Sequence, residues 1–331
     1  MARTERHHWW KPPLALFLSV VLVLALSVFV VFVVKLIAVI RRMPSDAALF
    51  GAPVPDLAAE LVMLALMTPV VMFVVRVVQK RRIGSLSSVE GRLRWSWLLR
   101  CAGVAAMCVA VSFGYLIAVL LLTAPEEPVL GEYAGTRQFV LAMTVIVLLV
   151  PFQAAAEEYA TRGFLMQLIG SYGSAPAGRA GLRAGARRPG PALAATANRF
   201  FASPVPSILV SGLVFAALHD YLDWAMADVA LFGLAMAWLT WYTGGLEAAI
   251  TLHVLHNVAA FAFSAYEGLP DPSGSTGSWQ GFSASAIEVG LFCLVVVWMA
   301  RRSRLRRSTS DPAVATAVPQ APHGGTAPGR D

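Results

Sequence analysis

Charge is scarce in this chain. Only 14% of its 331 residues are charged, against about 25% in ordinary soluble domains. Mean hydropathy is +0.66 and 57% of the residues are hydrophobic. A deficit of that size excludes a conventional soluble domain. Several apolar runs of about 18 residues or more account for it, so the chain reads as a polytopic membrane protein. Cysteine is also rare. Cys101, Cys108 and Cys293 lie within or beside apolar runs, and their spacing fits neither a zinc knuckle nor a disulfide framework. They read as small core residues. The first run, Pro13 to Ile40, is too long for a signal-peptide core and lacks a small-residue cleavage site, so it is read as a retained span and not as a removed leader. No internal repeat of fixed period is visible.

What is present begins with the apolar runs. The expected fold is an all-α transmembrane helical bundle of about eight spans, at roughly 13–40, 57–78, 98–123, 138–169, 206–222, 227–243, 246–266 and 283–300. The stretches 206–222 and 227–243 are near the minimum length, and Pro151 predicts a kink or break inside the fourth span. The net charge of +7 does not point to nucleic acid. Its basic residues lie between spans and after the last one, where topology and anionic headgroups explain them. Loop 79–97 holds Lys80, Arg81, Arg82, Arg92 and Arg94. Loop 170–205 holds Arg179, Arg183, Arg187, Arg188 and Arg199. The tail starts with Arg301, Arg302, Arg304, Arg306 and Arg307. Loop 124–137 carries Glu126, Glu127 and Glu132, and loop 267–282 has no Lys or Arg. Both termini are therefore expected on the cytoplasmic side of a cell membrane, with Arg41 and Arg42 as exceptions to the pattern. Trp9 and Trp10 beside Lys11 read as an interfacial anchor. The domain reading is a cytoplasmic segment 1–12, accessory spans within 13–123, a core at 138–266, a last span at 283–300, and a tail at 301–331 that is basic and then disordered.

Three short pieces place ionisable groups inside apolar runs: Glu157-Glu158-Tyr159-Ala160-Thr161-Arg162, Phe215 to His219, and His253-Val254-Leu255-His256-Asn257. An Asp, Lys or Arg at the centre of a membrane helix costs roughly 2.5–3.5 kcal/mol on insertion scales. Such groups usually face a bundle interior or a wet cavity, and they mark function. Glu158 and Arg162 are four apart and can pair, which offsets the burial of each; the bland reading is a structural ion pair. Glu157 points about 100° away around the helix without a local partner, and suits proton transfer; the bland reading is an interhelical hydrogen bond. His219 shares a helix face with Phe215. Taken alone it would be a satisfied core histidine. His253 and Asn257 share another face, with His256 beside it in a supporting role. Counted from the cytoplasmic ends, these groups lie at a similar depth of roughly 10–20 Å on three separate helices. Lys35, Glu60 and Arg76 belong to no cluster. Asp220, Asp223 and Asp228 are expected to be exposed at an outer turn, and His7, His8 and His323 to be solvated.

The pattern Glu-Glu-x-x-x-Arg, then Phe-x-x-x-His, then His-x-x-x-Asn resembles the CPBP intramembrane proteases, which include the CAAX prenyl proteases and the bacterial Abi proteins. The resemblance covers about residues 138–266 and runs in order through Glu157, Glu158, Arg162, Phe215, His219, His253 and Asn257. It departs from the family in the filler Tyr159-Ala160-Thr161 and in a longer, more basic loop 170–205. The resemblance implies that Glu157 is the general base, with His219 helping to activate water. His253 and Asn257 would bind a metal or stabilise an oxyanion, and Glu158 and Arg162 would hold the site together. Two chemistries use the same side chains. Glu157, His219 and His253 could ligate zinc or another divalent metal with an open fourth position, or Glu157 and His219 could polarise water without one.

The leading expectation is an intramembrane endopeptidase acting on a membrane peptide or protein within the lipid bilayer. Two other readings use the same residues: a transporter or proton relay, and a non-catalytic immunity or scaffold member of the family. No inverted repeat or pair of broken helices favours transport. The substrate is not named by the sequence, and prenylated CAAX proteins, bacteriocins and signalling peptides are equally compatible with it.

Overall fold

The computed structural model describes residues 8–40, 50, 52–126, 128–172, 200, 203–269 and 277–309. Their regular structure is helical. Helix α1 is Lys11–Ile40, α2 Pro53–Ala65, α3 Met67–Val77, α4 Trp95–Thr123 and α5 Thr136–Glu158. Helix α6 is Met166–Gly170, α7 Val205–Ala217, α8 Asp223–Thr243, α9 Glu247–Tyr266 and α10 Trp279–Arg302. Prolines start α1 and α2, where the missing N–H costs nothing. Gly244, at φ 69°, closes α8 in the left-handed conformation that favours glycine. Ser278 caps α10, its hydroxyl accepting the Gly281 N–H at 3.1 Å.

Among the described residues, seven helical stretches are long and apolar enough to cross a membrane, and the chain is a multi-pass membrane protein. Helices α2 and α3 form one of these spans, and α5 to α6 form another. The expected span at 206–222 takes a different form. Its helix, α7, stops at Ala217 after 13 residues, about 20 Å at 1.5 Å per residue, and residues Leu218–Leu222 continue as irregular backbone. Pro151 does not break α5, which runs through it to Glu158. The irregularity lies further on, in a π-helical segment Tyr159–Leu165. Arg41, Arg42, His7, His323, Glu127, most of loop 170–205 with its arginines, and the tail beyond 309 lie outside the described residues.

Helix α9 sits between α5 and α4; α10 packs on α4 and α8; α7 packs along α8. The α7–α8 crossing is set by two glycines. A Cβ on Gly212 would lie 2.9 Å from the Leu234 backbone, and one on Gly233 would lie 2.7 Å from the Gly212 carbonyl. One apolar core joins Cys101, Phe215, Phe232, Met236, Leu252 and Phe292, and the cysteines behave as the core residues expected of them. Helix α1 is apolar on nearly all sides apart from Lys35, rests mainly on α3 and leaves most of its surface open, as a helix facing lipid does.

One end of the bundle is held by the basic connection between α3 and α4. There Ser88 pairs with Gly245, the Val89 N–H donates to the Gly244 carbonyl at 2.8 Å, and the Leu246 N–H donates to the Ser87 carbonyl at 2.9 Å. Arg94 makes a fork with Glu247 at the first residue of α9: Nε donates to Oε1 at 2.9 Å and Nη2 to Oε2 at 2.6 Å. A carboxylate at a helix N-terminus complements the helix dipole, and the arginine fork adds two charge-assisted bonds. Together they fix the start of the helix that carries His253. Burial pushes the nearby Arg81 guanidinium down to about 10, while Gln79, Ser85 and Gln167 accept its hydrogen bonds.

Candidate active site

The polar centre grows from the end of α5. Continuing the helix past Glu158 as a π turn widens it by about one residue per turn. The Thr161 hydroxyl donates back to the Glu157 carbonyl at 2.6 Å, and Ser211 of α7 donates to the Thr161 carbonyl at 2.9 Å. Gly163 allows close contact here: its Cβ position lies 3.2 Å from both the Leu86 carbonyl and Leu246. Arg162 is thereby carried inward and is fully buried.

Arg162 and Glu158 pair as the four-residue spacing predicts, Nη1 donating to Oε1 at 2.9 Å with both side chains 0% exposed. The arginine is satisfied further by the Thr161 hydroxyl at 2.9 Å and the Gly233 carbonyl at 3.1 Å. Its guanidinium lies 4.1 Å above the Phe215 ring centroid, a cation–π contact of the kind strengthened by desolvation. The glycine crossing of α7 and α8 brings that carbonyl within reach.

His253 joins the two carboxylates. Its Nδ1 lies 2.8 Å from Glu158 Oε1, and its Nε2 lies 3.5 Å from Glu157 Oε2. Because a carboxylate accepts, Nδ1 carries the proton, and the ring is fixed in orientation. Glu157 has a partner that sequence reading missed: Gln153, one turn earlier on α5, donates to Oε1 at 2.5 Å. Gln153 in turn accepts from Asn257 Nδ2 at 3.3 Å. The spacing Gln153 to Glu157 is the same four-residue step that revealed the Glu158–Arg162 pair, so the signal was available. The second oxygen of Glu157 is buried and makes no hydrogen bond; the side chain is 13% exposed.

His219 joins less directly. Its Nδ1 donates to the Phe215 carbonyl at 2.8 Å, which leaves Nε2 as its free nitrogen. Phe215 packs against both His219 and His253, with ring centroids 4.8 and 5.6 Å away. No hydrogen bond joins His219 to Glu157. The structure therefore brings Glu157, Glu158, Arg162, His253 and Asn257 into one network and sets His219 at its edge, beside Tyr221. Among the described residues, no three His, Cys, Asp or Glu side chains are grouped closely enough to hold a metal ion.

A second polar group lies one helical turn beyond His253. His256 Nδ1 is 2.9 Å from Glu288 of α10. Asp228 of α8, expected to be exposed at an outer turn, is instead half-buried and faces His256, Glu288 and Ser285. It lies within α8, past the outer turn.

Comparison with known proteins points to the same stretch of chain. Residues 137–259 match the family described as type II CAAX prenyl endopeptidase Rce1-like. That segment holds the whole network, and the match supports membership of the CAAX/CPBP family and a CAAX-type intramembrane protease activity. The chain is also similar to the uncharacterized protein YyaK of Bacillus subtilis, with 23% identity over 80% of this chain and 82% of the relative. No solved structure matches it.

Proposed function

We propose that this chain is an intramembrane endopeptidase that hydrolyses a membrane-associated peptide or protein with water activated by Glu157. The observation that carries the reading is the unequal treatment of two adjacent carboxylates. Each carboxylate has one unbonded oxygen, but Glu158 is fully buried and committed through Oε1 to Arg162 and His253, whereas Glu157 is gripped through Oε1 by Gln153 and is 13% exposed. Arg162 balances Glu158, and the unbonded Oε2 of the partly exposed Glu157 is the lone pair that a general base would use.

In this mechanism Glu157 Oε2 takes a proton from water, and the water oxygen adds to the scissile carbonyl carbon. His219, with Nδ1 occupied by a backbone carbonyl, offers Nε2 to the same water and orients it. The second N–H of Asn257 is the donor available to the developing oxyanion. Glu157 then passes its proton to the departing amine nitrogen as the C–N bond breaks, leaving a carboxylic acid and an amine. Glu158 and Arg162 position His253 rather than touch substrate. Both termini and the end of the bundle held by Arg94 and Glu247 lie on the cytoplasmic side in this reading, following the basic loops.

The test is hydrolysis of membrane peptides by purified protein in liposomes. Cleavage by the wild type that is lost in Glu157→Gln supports the reading. Directional flux of a solute without cleavage would replace it with transport.

A further inference from the structure

The end of the bundle held by Arg94 and Glu247 carries a cavity of about 450 Å³. The α3–α4 connection, the first turns of α4 and the start of the tail after α10 wall it, through Arg92, Trp95, Trp97, Arg100 and Ser303. Arg94 lines it too, with its guanidinium forked on Glu247. Helix α4 has 29 residues, about 43 Å at 1.5 Å per residue, which exceeds the roughly 30 Å of bilayer hydrocarbon. Its start, rich in arginine and tryptophan, therefore lies at headgroup level, where both residue types are favoured.

The cavity is short of negative charge. Three arginines line it against two carboxylates, Glu90 and, behind Arg94, Glu247. Arg94 and Glu247 satisfy each other at 2.6 Å. Arg92 reaches Glu90 only at 3.6 Å, with 77% of its side chain exposed, and an exposed pair of that kind is weak. Arg100 is exposed and, among the described residues, pairs with no carboxylate. The N-cap of α4, Arg94, supplies no side-chain cap, and an open helix start favours an anion.

Two observations independent of charge point to a ligand. Trp97 forms part of the cavity wall and is 3% exposed, yet its indole N–H has no hydrogen-bond partner. Indole only donates, and a buried donor left unpaired loses its hydration without recovering it; the missing group is an acceptor. The second observation is the surface of α4 that leads away from the cavity. Trp95, Leu99 and Met107 are exposed along it at four- and eight-residue steps, and between them Gly103 leaves open space where a side chain would stand. An apolar furrow running from a basic cavity into the bilayer suits a molecule with an anionic head and a hydrocarbon tail better than a free ion.

We propose that this cavity binds the headgroup phosphate of an anionic phospholipid, with the acyl chains lying along Trp95, Leu99 and Met107. Arg92, Arg100 and the Trp97 indole N–H would donate to the phosphate oxygens. Basic cavities between membrane helices at headgroup level are suited to such lipids. The site is separate from the catalytic network and does not rest on the protease reading. A bound headgroup would sit against the Arg94–Glu247 fork that fixes the start of α9.

Native mass spectrometry of the full chain in a neutral detergent tests the site. Phosphatidylglycerol and phosphatidylcholine with identical acyl chains are offered in competition. Phosphatidylglycerol should bind at least about tenfold more tightly. Arg92→Gln combined with Arg100→Gln should abolish that preference. Lys80→Gln combined with Arg82→Gln removes the same charge from exposed positions outside the cavity and should keep it. Trp97→Phe retains an aromatic ring without the N–H and should weaken binding of phosphatidylglycerol about tenfold. Equal binding of the two lipids by the wild type would overturn the proposal, as would a preference that survives loss of Arg92 and Arg100. A preference lost equally in both charge variants would reduce it to diffuse attraction and overturn it too. Inorganic phosphate in large excess should leave the lipid bound; full displacement would assign the cavity to a free anion instead.

Discussion

Glu158 Oε1 receives two hydrogen bonds from opposite sides, one from Arg162 at 2.9 Å and one from His253 at 2.8 Å. One oxygen thus ties the charge balance of α5 to the imidazole of α9. The arrangement resembles the carboxylate that holds a catalytic histidine in orientation, except that here a buried guanidinium shares the carboxylate.

That sharing sets the cost of Glu158→Gln. The substitution leaves Arg162 charged and buried without its counter-ion. Stranding one partner of a buried pair costs about 3–5 kcal/mol. The variant should melt well below the wild type in detergent, and Arg162→Ala should do the same. Unchanged unfolding temperatures for both would show that the pair carries little of the fold.

Glu157→Gln should behave in the opposite way. Glutamine keeps the shape and can still bond to Gln153, but it cannot take a proton from water. Folding should survive and peptide affinity should change little, because the role belongs to the transition state. Turnover should fall at least about 100-fold, within the usual range for loss of a general base. A folded variant that cleaves at the wild-type rate would move the base elsewhere.

Gln153→Leu probes the hold on Glu157 and Asn257 together. It removes the 2.5 Å bond to the carboxylate and the 3.3 Å bond from the amide. A hydrogen bond to a charged group is worth about 1.5–3 kcal/mol, so kcat should drop about 10- to 100-fold. KM should move less, since neither bond is made to substrate. A pure KM effect in steady-state kinetics would argue that Gln153 contacts the peptide instead.

Chelation addresses the metal. His253 Nδ1 is engaged by Glu158 and Glu157 Oε1 by Gln153, and the three candidate ligands Glu157, His219 and His253 are not drawn together. Cleavage should persist after treatment with a strong zinc chelator. Loss of activity that is restored by added zinc would place an ion on those three side chains.

The sequence was most readable where the chemistry is local. A four-residue step on one helix is enough to pair Glu158 with Arg162, and long apolar runs are enough to locate α4, α5 and α10. Contacts between helices were harder to see. Nothing in the spacing says which glutamate His253 will choose, or that Arg94 will reach Glu247 across 153 positions of chain. Leu218 to Leu222 holds no proline or glycine to end a helix, so the early stop of α7 was hidden. The π turn was hidden too, because its residues Tyr159 to Leu165 have no composition that sets them apart from an α-helix. Asp228 was misjudged because its aspartate neighbours Asp220 and Asp223 suggested a loop, whereas it belongs to α8.

The early stop of α7 bears on how the reaction is supplied. Irregular backbone is tolerated at membrane depth only where protein covers it or water touches it. Leu218 and Leu222 are 74% and 54% exposed, so protein does not cover this stretch. His219 lies within it, next to Tyr221. In the proposed reaction the shortened helix would thin the hydrocarbon barrier on this side of the bundle, so that water, the second reactant, would enter from the aqueous phase while the peptide arrives from the bilayer.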